Sequence, residues 1–375
     1  MFKVNDNTYY VGVSEAGKLS DGAYLITGEK NALIETVSDG YSDLYIQNIQ
    51  EILSIREIDY LIFTHTEPRC LECVEKILEL NPDIEIIGTI PTVKNLKEIT
   101  NRTFNERIAK NNSVLCLGED MTLRFTIAPN LPSPDSMLVY LENYKILFSG
   151  HLFASYFSAQ EPVNADFTCL EEYYKDNLLP FRPFVAGALE KIQIDTSVIC
   201  PCRGSIISDR VKEYIEKYVV LTAEETDKNK TVVICYPADN GYTNKMADII
   251  SDELLSNGIR VQQADACAED IAKKLNSADA LIIGTSTIHR NARNEVLHAV
   301  ADLNAVSVNG KPYFVFGSYG WSGEGTEIIH NFLKMLRMKP VSKPFTVHFN
   351  PSEKDIEELR GIVKRFACDL QNIYN

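Results

Sequence analysis

Residues 63 to 73, Phe-Thr-His-Thr-Glu-Pro-Arg-Cys-Leu-Glu-Cys, set two metal-ligand types, His65 and Glu67, two positions apart. A divalent site would want a third ligand close by, yet position 69 is arginine, a permanent cation. Cys70 and Cys73 follow one helical turn apart. Residues i and i+3 share a helix face, and the positive end of a helix favours thiolates. The stretch therefore reads as a metal site, as the remains of one, or as a site rebuilt for different chemistry.

Three further stretches near the other end of the chain carry residues suited to a phosphate and a planar ring. The first is Tyr-Pro-Ala-Asp-Asn-Gly-Tyr-Thr-Asn-Lys, 236 to 245, where a short loop ahead of a helix can aim backbone N–H groups at an anion. The second, Gly-Thr-Ser-Thr-Ile-His-Arg-Asn, 284 to 291, is rich in small hydroxyl residues. The third, Gly-Ser-Tyr-Gly-Trp-Ser-Gly-Glu-Gly, 317 to 325, sets Tyr319 and the single tryptophan, Trp321, among glycines. An aromatic held on such a loop can stack on a flat ligand, whereas a lone tryptophan elsewhere usually belongs to the core.

The elements that position these residues alternate along the whole chain. Segments 23–28, 31–37 and 60–65 read as strands. Segment 70–82 reads as a helix stopped by Asn81-Pro82, with apolar residues at 71, 74, 77 and 78, and 91–100 as a helix with proline at its start. Strands follow at 122–129, 136–141 and 145–150, the last two joined by a tight turn at 142–144, and a strand running into a loop covers 197–204. Polar residues 221–230 read as a linker, which places one domain over 1–225 and a second over 229–375. After the linker the pattern is strictly β-α-β-α, the signature of a doubly wound parallel sheet whose ligands sit at the carboxyl ends of its strands.

Composition narrows the function. The chain has 375 residues and is 45% hydrophobic, ordinary for a protein of two domains. A net charge of -15 argues against nucleic acid or an anionic membrane surface as a partner. No export signal and no membrane-spanning run are visible, and the nine cysteines lack the dense spacing of a secreted scaffold. A cytoplasmic protein with reduced thiols is expected.

Taken together, the three C-terminal loops resemble those of the flavodoxin family, and Gly-Ser-Tyr-Gly-Trp-Ser-Gly in particular resembles the flavodoxin module of flavodiiron proteins, also called A-type flavoproteins. The resemblance implies FMN. Its phosphate would lie on Asp239, Asn240, Gly241, Tyr242 and Thr243. Its ring system would lie between Ser286, Thr287, His289 and Asn291 on one side and Ser318, Tyr319, Gly320, Trp321 and Gly323 on the other. One departure stands out. Ala238 takes the place of the usual hydroxyl residue and acidic Asp239 follows, which weakens the fit to a dianion.

The same family places a metallo-β-lactamase-like αββα sandwich ahead of the flavodoxin-like sheet, and its iron-ligand signatures can be followed along this chain. His65 and Glu67 keep their type. Arg69 stands for an aspartate, Cys70 for a histidine, Pro132 or a neighbour for the histidine before Pro-Asp-Ser, His151 for the bridging aspartate and Arg203 for the last histidine. Two irons need several carboxylate and imidazole ligands with a bridging carboxylate, so the usual di-iron centre is not expected. His65 and Glu67 then read either as ligands or as a leftover pair salt-bridged to Arg69 or Arg203.

The resemblance also brings Cys200-Pro-Cys202 to the pocket of Cys70 and Cys73, so these four cysteines are the candidate metal ligands. Four converging thiolates suit an iron–sulfur cluster of the 4Fe–4S type, whose negative charge Arg69 and Arg203 would offset; zinc, or no metal with the cysteines as small buried hydrophobes, are the alternatives. Cys116, Cys169, Cys235, Cys267 and Cys368 read as structural.

The functional expectation is a flavodiiron-like redox protein that carries electrons through FMN, with oxygen and nitric oxide reduction lost; no catalytic residue is assigned. The alternatives are a reductase working on a rebuilt metal site, a non-catalytic flavin-binding partner protein, and, least of all, a hydrolase. The resemblance further implies a head-to-tail homodimer served by a redox donor such as a rubredoxin or an NAD(P)H-dependent reductase.

Overall fold

The computed structural model describes residues 1–14, 20–156, 167–192, 195–223, 230–239 and 241–372. It divides into two compact units, Met1–Glu224 and Glu225–Asn375.

In the first unit, β1 (Phe2–Lys3), β2 (Thr8–Tyr10), β3 (Tyr24–Ile26), β4 (Ala32–Ile34), β5 (Tyr60–Ile62), β6 (Glu85–Gly88) and β7 (Asn105–Ile108) form one sheet in sequence order. It is antiparallel up to β4 and parallel beyond it. A second sheet has the order β12 (Val198–Pro201), β11 (Ile146–Gly150), β10 (Met137–Leu141), β9 (Met121–Ile127) and β8 (Val114–Gly118). Alternation along the strands separates the layers. Tyr24, Ile26, Ile34 and Ile62 face the second sheet, while Leu25, Leu33 and Leu61 face outward. Helices Ser42–Gln50, Leu71–Leu80 and Ile90–Thr100 cover that outer face. In the second of these Cys73, Val74, Ile77 and Leu78 make an apolar stripe at helical spacing. On the far side of the second sheet, helical residues 167–189 and helix Val211–Thr222 pack on Leu138, Tyr140, Leu147 and Ile199. The result is the expected αββα sandwich.

The second unit is a sheet of β14 (Arg260–Asp265), β13 (Thr231–Tyr236), β15 (Ala280–Ile288), β17 (Pro312–Tyr319) and β18 (Lys339–Pro340), with β19 (Phe345–His348) also on β17 and the short β16 (Asn291–Ala292) on β15. Its main strands are parallel. Helices Tyr242–Ser256 and Glu353–Asn372 cover one face; helices Ile271–Ser277, Asn294–Ala301 and Glu324–Met335 cover the other. This is the doubly wound, flavodoxin-like order.

Two local expectations need correction. The stretch 284–291 is not a simple loop, because β15 continues to Ile288 and turns back into β16 through His289 and Arg290, both left-handed at φ 50 and 62. Two consecutive left-handed residues are what a two-residue hairpin requires. The alternation also lapses near the end, where β18 and β19 follow one another without a helix.

Candidate functional site

Strand ends at one end of the sandwich gather the chemistry of the first unit. His65 and Glu67 follow β5, His151 follows β11, Cys202 and Arg203 follow β12, Glu35 follows β4, and Asp21 precedes β3. Gly150 lets β11 end here. Its φ is 57, and a Cβ on it would come within 2.9 Å of the Thr64 hydroxyl. Asp135 fixes the loop between His65 and Glu67 by accepting from the Thr66 N–H (2.9 Å) and hydroxyl (2.5 Å).

Glu67 is the hub. Its Oε2 accepts from Arg69 Nε and from Arg203 Nη2, each at 2.6 Å. Its Oε1 lies 3.2 Å from His65 Nε2 and 3.4 Å from His151 Nε2. Arg203 is buried and also pairs through Nη1 with Asp21, whose other oxygen accepts from the Ser38 N–H at 2.7 Å. His65 Nδ1 is 3.1 Å from the Thr64 hydroxyl and 3.5 Å from Glu35, which in turn accepts from the Thr64 N–H and hydroxyl. His151 Nδ1 meets the Tyr173 hydroxyl at 2.5 Å.

The electrostatics follow from that ring of partners. Burial pulls the His65 pKa down, but Glu35 and Glu67 overcome it and raise the imidazole to about 10. Burial alone would raise the Glu67 carboxyl; hydrogen bonds from His151 and His65 reverse this and hold it far below the carboxylate range. His151 is pushed down by burial and by charged His65, so it stays neutral beside a charged neighbour. Cys70 and Cys202 are pushed up, first by burial and then by nearby carboxylates.

These residues do not fit two irons. Two guanidiniums occupy the free side of Glu67, and His151 offers an imidazole rather than a bridging carboxylate. Four thiolates do not gather either. Cys70 and Cys202 line one cavity with His65, Glu67 and Arg203. Cys73 packs in the outer apolar layer and Cys200 in the layer between the sheets, on opposite faces of the β1–β7 sheet. The expected four-sulfur set is thus corrected to two. Cys73 follows the apolar stripe of its helix and Cys200 the apolar face of its strand. What the structure does bring together, missed by reading cysteines as pairs, is His65, His151 and Cys202, whose ligand atoms all lie within 4.8 Å of one another. Glu35, Asp21 and Tyr173 also escaped sequence reasoning; a lone glutamate directly after the apolar run of β4 was the available signal for the first.

In the second unit the three loops end on the parallel strands as the sequence suggested. Helix Tyr242–Ser256 starts after Gly241 with no side-chain cap, leaving its first N–H groups directed at an incoming anion. Thr243 is buried with its hydroxyl 3.3 Å from that of Ser318, and the buried Asn244 Oδ1 has no partner. Asp239, the residue that weakened the phosphate reading, is paired with Arg293 at 2.6 Å, so its carboxylate is compensated. Asn240 lies outside the described residues. On the ring side, Thr287 accepts from the Gly325 N–H at 3.1 Å, which ties the second loop to the third. Ser286 is half-buried at the end of β15, paired in register with Ser318, while His289 and Asn291 are exposed at the hairpin. Tyr319 and Gly323 pack against each other and Gly320 lies against the Phe349 ring. Trp321 is 95% exposed, edge-on to Phe349 at 6.3 Å. An uncapped helix start for a phosphate, and on the third loop an indole left bare, fit a site for a flavin phosphate and ring.

Comparison with known proteins agrees with both units. Residues 20–204 match the family described as ODP family beta lactamase, and residues 234–361 match flavodoxin. The flavo-diiron protein FprA2 of Clostridium acetobutylicum is 32% identical, covering 98% of this chain and 99% of that protein. A nitric oxide reductase of Moorella thermoacetica is 28% identical over 93% of this chain and 90% of its own length. Among solved structures, rubredoxin oxygen:oxidoreductase from Desulfovibrio gigas superposes with a TM-score of 0.68 at 24% identity, covering 99% of this chain and 98% of that one. No helix among the described residues is long and apolar enough to cross a membrane.

Proposed function

The chain belongs to the flavodiiron protein family, and from that premise we propose that it is an FMN electron-transfer member that has given up the family's two-iron chemistry. The carrying observation is Arg203, which bridges Asp21 and Glu67 with its guanidinium inside the pocket where ligands for iron would be needed. FMN supplies one- and two-electron transfer when bound. The chain's part is to seat its phosphate at the start of helix Tyr242–Ser256, with Arg293 holding the Asp239 carboxylate in check, and to flank its ring with Tyr319 and Trp321. A second reading, nitric oxide reduction on a rebuilt metal site, is favoured by the Moorella relative's name; the two guanidiniums on Glu67 count against it. Anaerobically purified protein is expected to carry about one FMN per chain and no pair of irons. Two irons per chain would overturn the reading.

Trp321 gives the flavin half of this its own test. Loss of ring stacking is worth on the order of 1 kcal/mol, so Trp321→Ala should weaken FMN binding about fivefold. Since the indole is almost wholly exposed, thermal stability of the flavin-free protein should not move. Titration of flavin-free protein with FMN reads both; unchanged affinity would remove Trp321 from the site.

Family resemblance further supports a head-to-tail homodimer in which one protomer's flavin serves its partner's pocket. Light scattering at micromolar concentration is expected to give twice the 42.2 kDa chain mass. A monomer would leave that electron path unsupported.

A further inference from the structure

We propose that His65, His151 and Cys202 form a mononuclear site for zinc(II), with Oε1 of Glu67, 3.2 and 3.4 Å from the two imidazole nitrogens, moving in as the fourth ligand. The proposal rests on the reading that the iron pair is lost and says what the pocket holds instead. The three donor atoms lie within 4.8 Å of one another. A tetrahedral zinc with N and S bonds of about 2.0–2.3 Å separates its ligands by roughly 3.5 Å, so the group needs to tighten by about 1 Å.

The surroundings are arranged for this. Both imidazoles present Nε2 to the same carboxylate oxygen, while each Nδ1 is held from behind. Thr64 and Glu35 hold His65, and Tyr173 holds His151. Such outer hydrogen bonds orient metal-binding histidines. Cys202 is clamped through its backbone: its N–H donates to the Gly150 carbonyl at 2.8 Å, next to His151, and its own carbonyl accepts from the Gly22 N–H at 2.8 Å. The group is shielded from water, His65 and Cys202 being buried and His151 nearly so. Charge also closes. One thiolate and one carboxylate neutralise one divalent ion, with Arg69 and Arg203 staying on the outer oxygen Oε2 and on Asp21. For a second ion the remaining carboxylates are already engaged, Asp21 with Arg203 and Glu35 with Thr64 and His65. Two imidazoles and a thiolate favour zinc over magnesium or manganese.

The test uses chelator-treated full-length protein carrying its FMN, titrated with cobalt(II) as a spectroscopic stand-in and then with zinc. The expected result is one cobalt per chain, tetrahedral ligand-field bands at wavelengths beyond the flavin absorption, a thiolate charge-transfer feature in the difference spectrum, and displacement by zinc. Cys202→Ser should lose the charge-transfer feature and Cys70→Ser should keep it. Tyr173→Phe, which leaves all donors in place, should weaken affinity about 10–100-fold. No cobalt or zinc bound at micromolar concentration overturns the proposal and leaves the loss of the iron pair standing. A charge-transfer feature that survives Cys202→Ser overturns the ligand assignment. Should Cys202→Ser fail to fold, unchanged affinity in Tyr173→Phe overturns it independently. Two irons per purified chain would instead overturn the reading beneath it.

Discussion

Glu67→Gln should destabilise the metal-free N-terminal unit by about 3–5 kcal/mol, the loss expected when one member of a buried charge network is removed. For a domain of this size that lowers its unfolding temperature by roughly 10 °C. The glutamine keeps the shape but offers an amide in place of the oxygens that receive Arg69, Arg203, His65 and His151. Two of those partners are insured and one is not confined. His65 keeps Glu35 and Arg203 keeps Asp21, while Arg69 is 55% exposed and can turn to water. The expected order is therefore informative. Arg203→Ala should cost as much as Glu67→Gln, because it removes the one buried guanidinium from both Asp21 and Glu67. Arg69→Ala should cost no more than about 1 kcal/mol. Calorimetry on chelator-treated protein, with hydrogen exchange at β5 and β12 to assign the transition, checks the series. Equal losses at Arg69 and Arg203 would show that Glu67 is not the buried hub.

The same network sets a pH dependence. His65 has its pKa raised on folding, so its contribution is complete below the ordinary value of about 6.5 and is lost as pH rises through about 10. Glu67 has its pKa lowered, so its share is present above the ordinary carboxylate value of about 4.3 and is lost only in strong acid. The gap between wild type and Glu67→Gln should accordingly be widest near pH 5–6 and narrow toward pH 10.

How much of this was legible depended on the range over which each signal acts. Local signals carried well. Pro91 opens a helix, Asn81 ends one, and the glycine-rich run around Trp321 caps a parallel strand, since caps, turns and periodicity are decided within a few residues. The identity of the altered ligand positions was likewise readable, because each sits beside a recognisable strand end. Its consequence was not. Glu67 receives Arg203 across 136 residues, and Arg203 reaches back to Asp21, so the neutralisation of the pocket is a tertiary fact that no spacing announces. The cysteines failed for a related reason. Cys70 and Cys73 share a helix face in the abstract, but the helix turns that face into the sheet, carrying Cys73 into the apolar layer while Cys70 stays at the rim. In Cys200-Pro-Cys202 the strand alternation splits the pair, sending one sulfur between the sheets and the other to the cavity. The hairpin at His289 and Arg290 was hidden because the pair is not the Asn-Gly, Asp-Gly or Gly-Gly that such a two-residue turn usually takes.

Oxygen and nitric oxide reduction should be absent beyond the rate of an equal amount of free FMN, even with an efficient reductant. Working enzymes commonly turn over at 1–1000 per second, so the shortfall against a competent relative should exceed a hundredfold. The chemistry of two irons depends on holding both ions at fixed separation with a carboxylate between them. By the family resemblance His151 takes the place of that carboxylate, and burial and charged His65 push it toward the neutral form, tied to Tyr173. Arg203 cannot swing aside to admit an ion, because it is 4% exposed and held at both ends by Asp21 and Glu67. Single reversions should fail for the same reason. Arg203→His frees one ligand but strands Asp21 and leaves Arg69, Cys70, Pro132 and His151 unchanged, so neither iron uptake nor turnover should return. Oxygen and nitric oxide electrodes, with flavin reduction followed separately, distinguish a blocked pocket from a flavin that is never reduced. Turnover at tens per second, with the flavin cycling and the rate abolished by Glu67→Gln, would sink the argument and restore this pocket to catalysis.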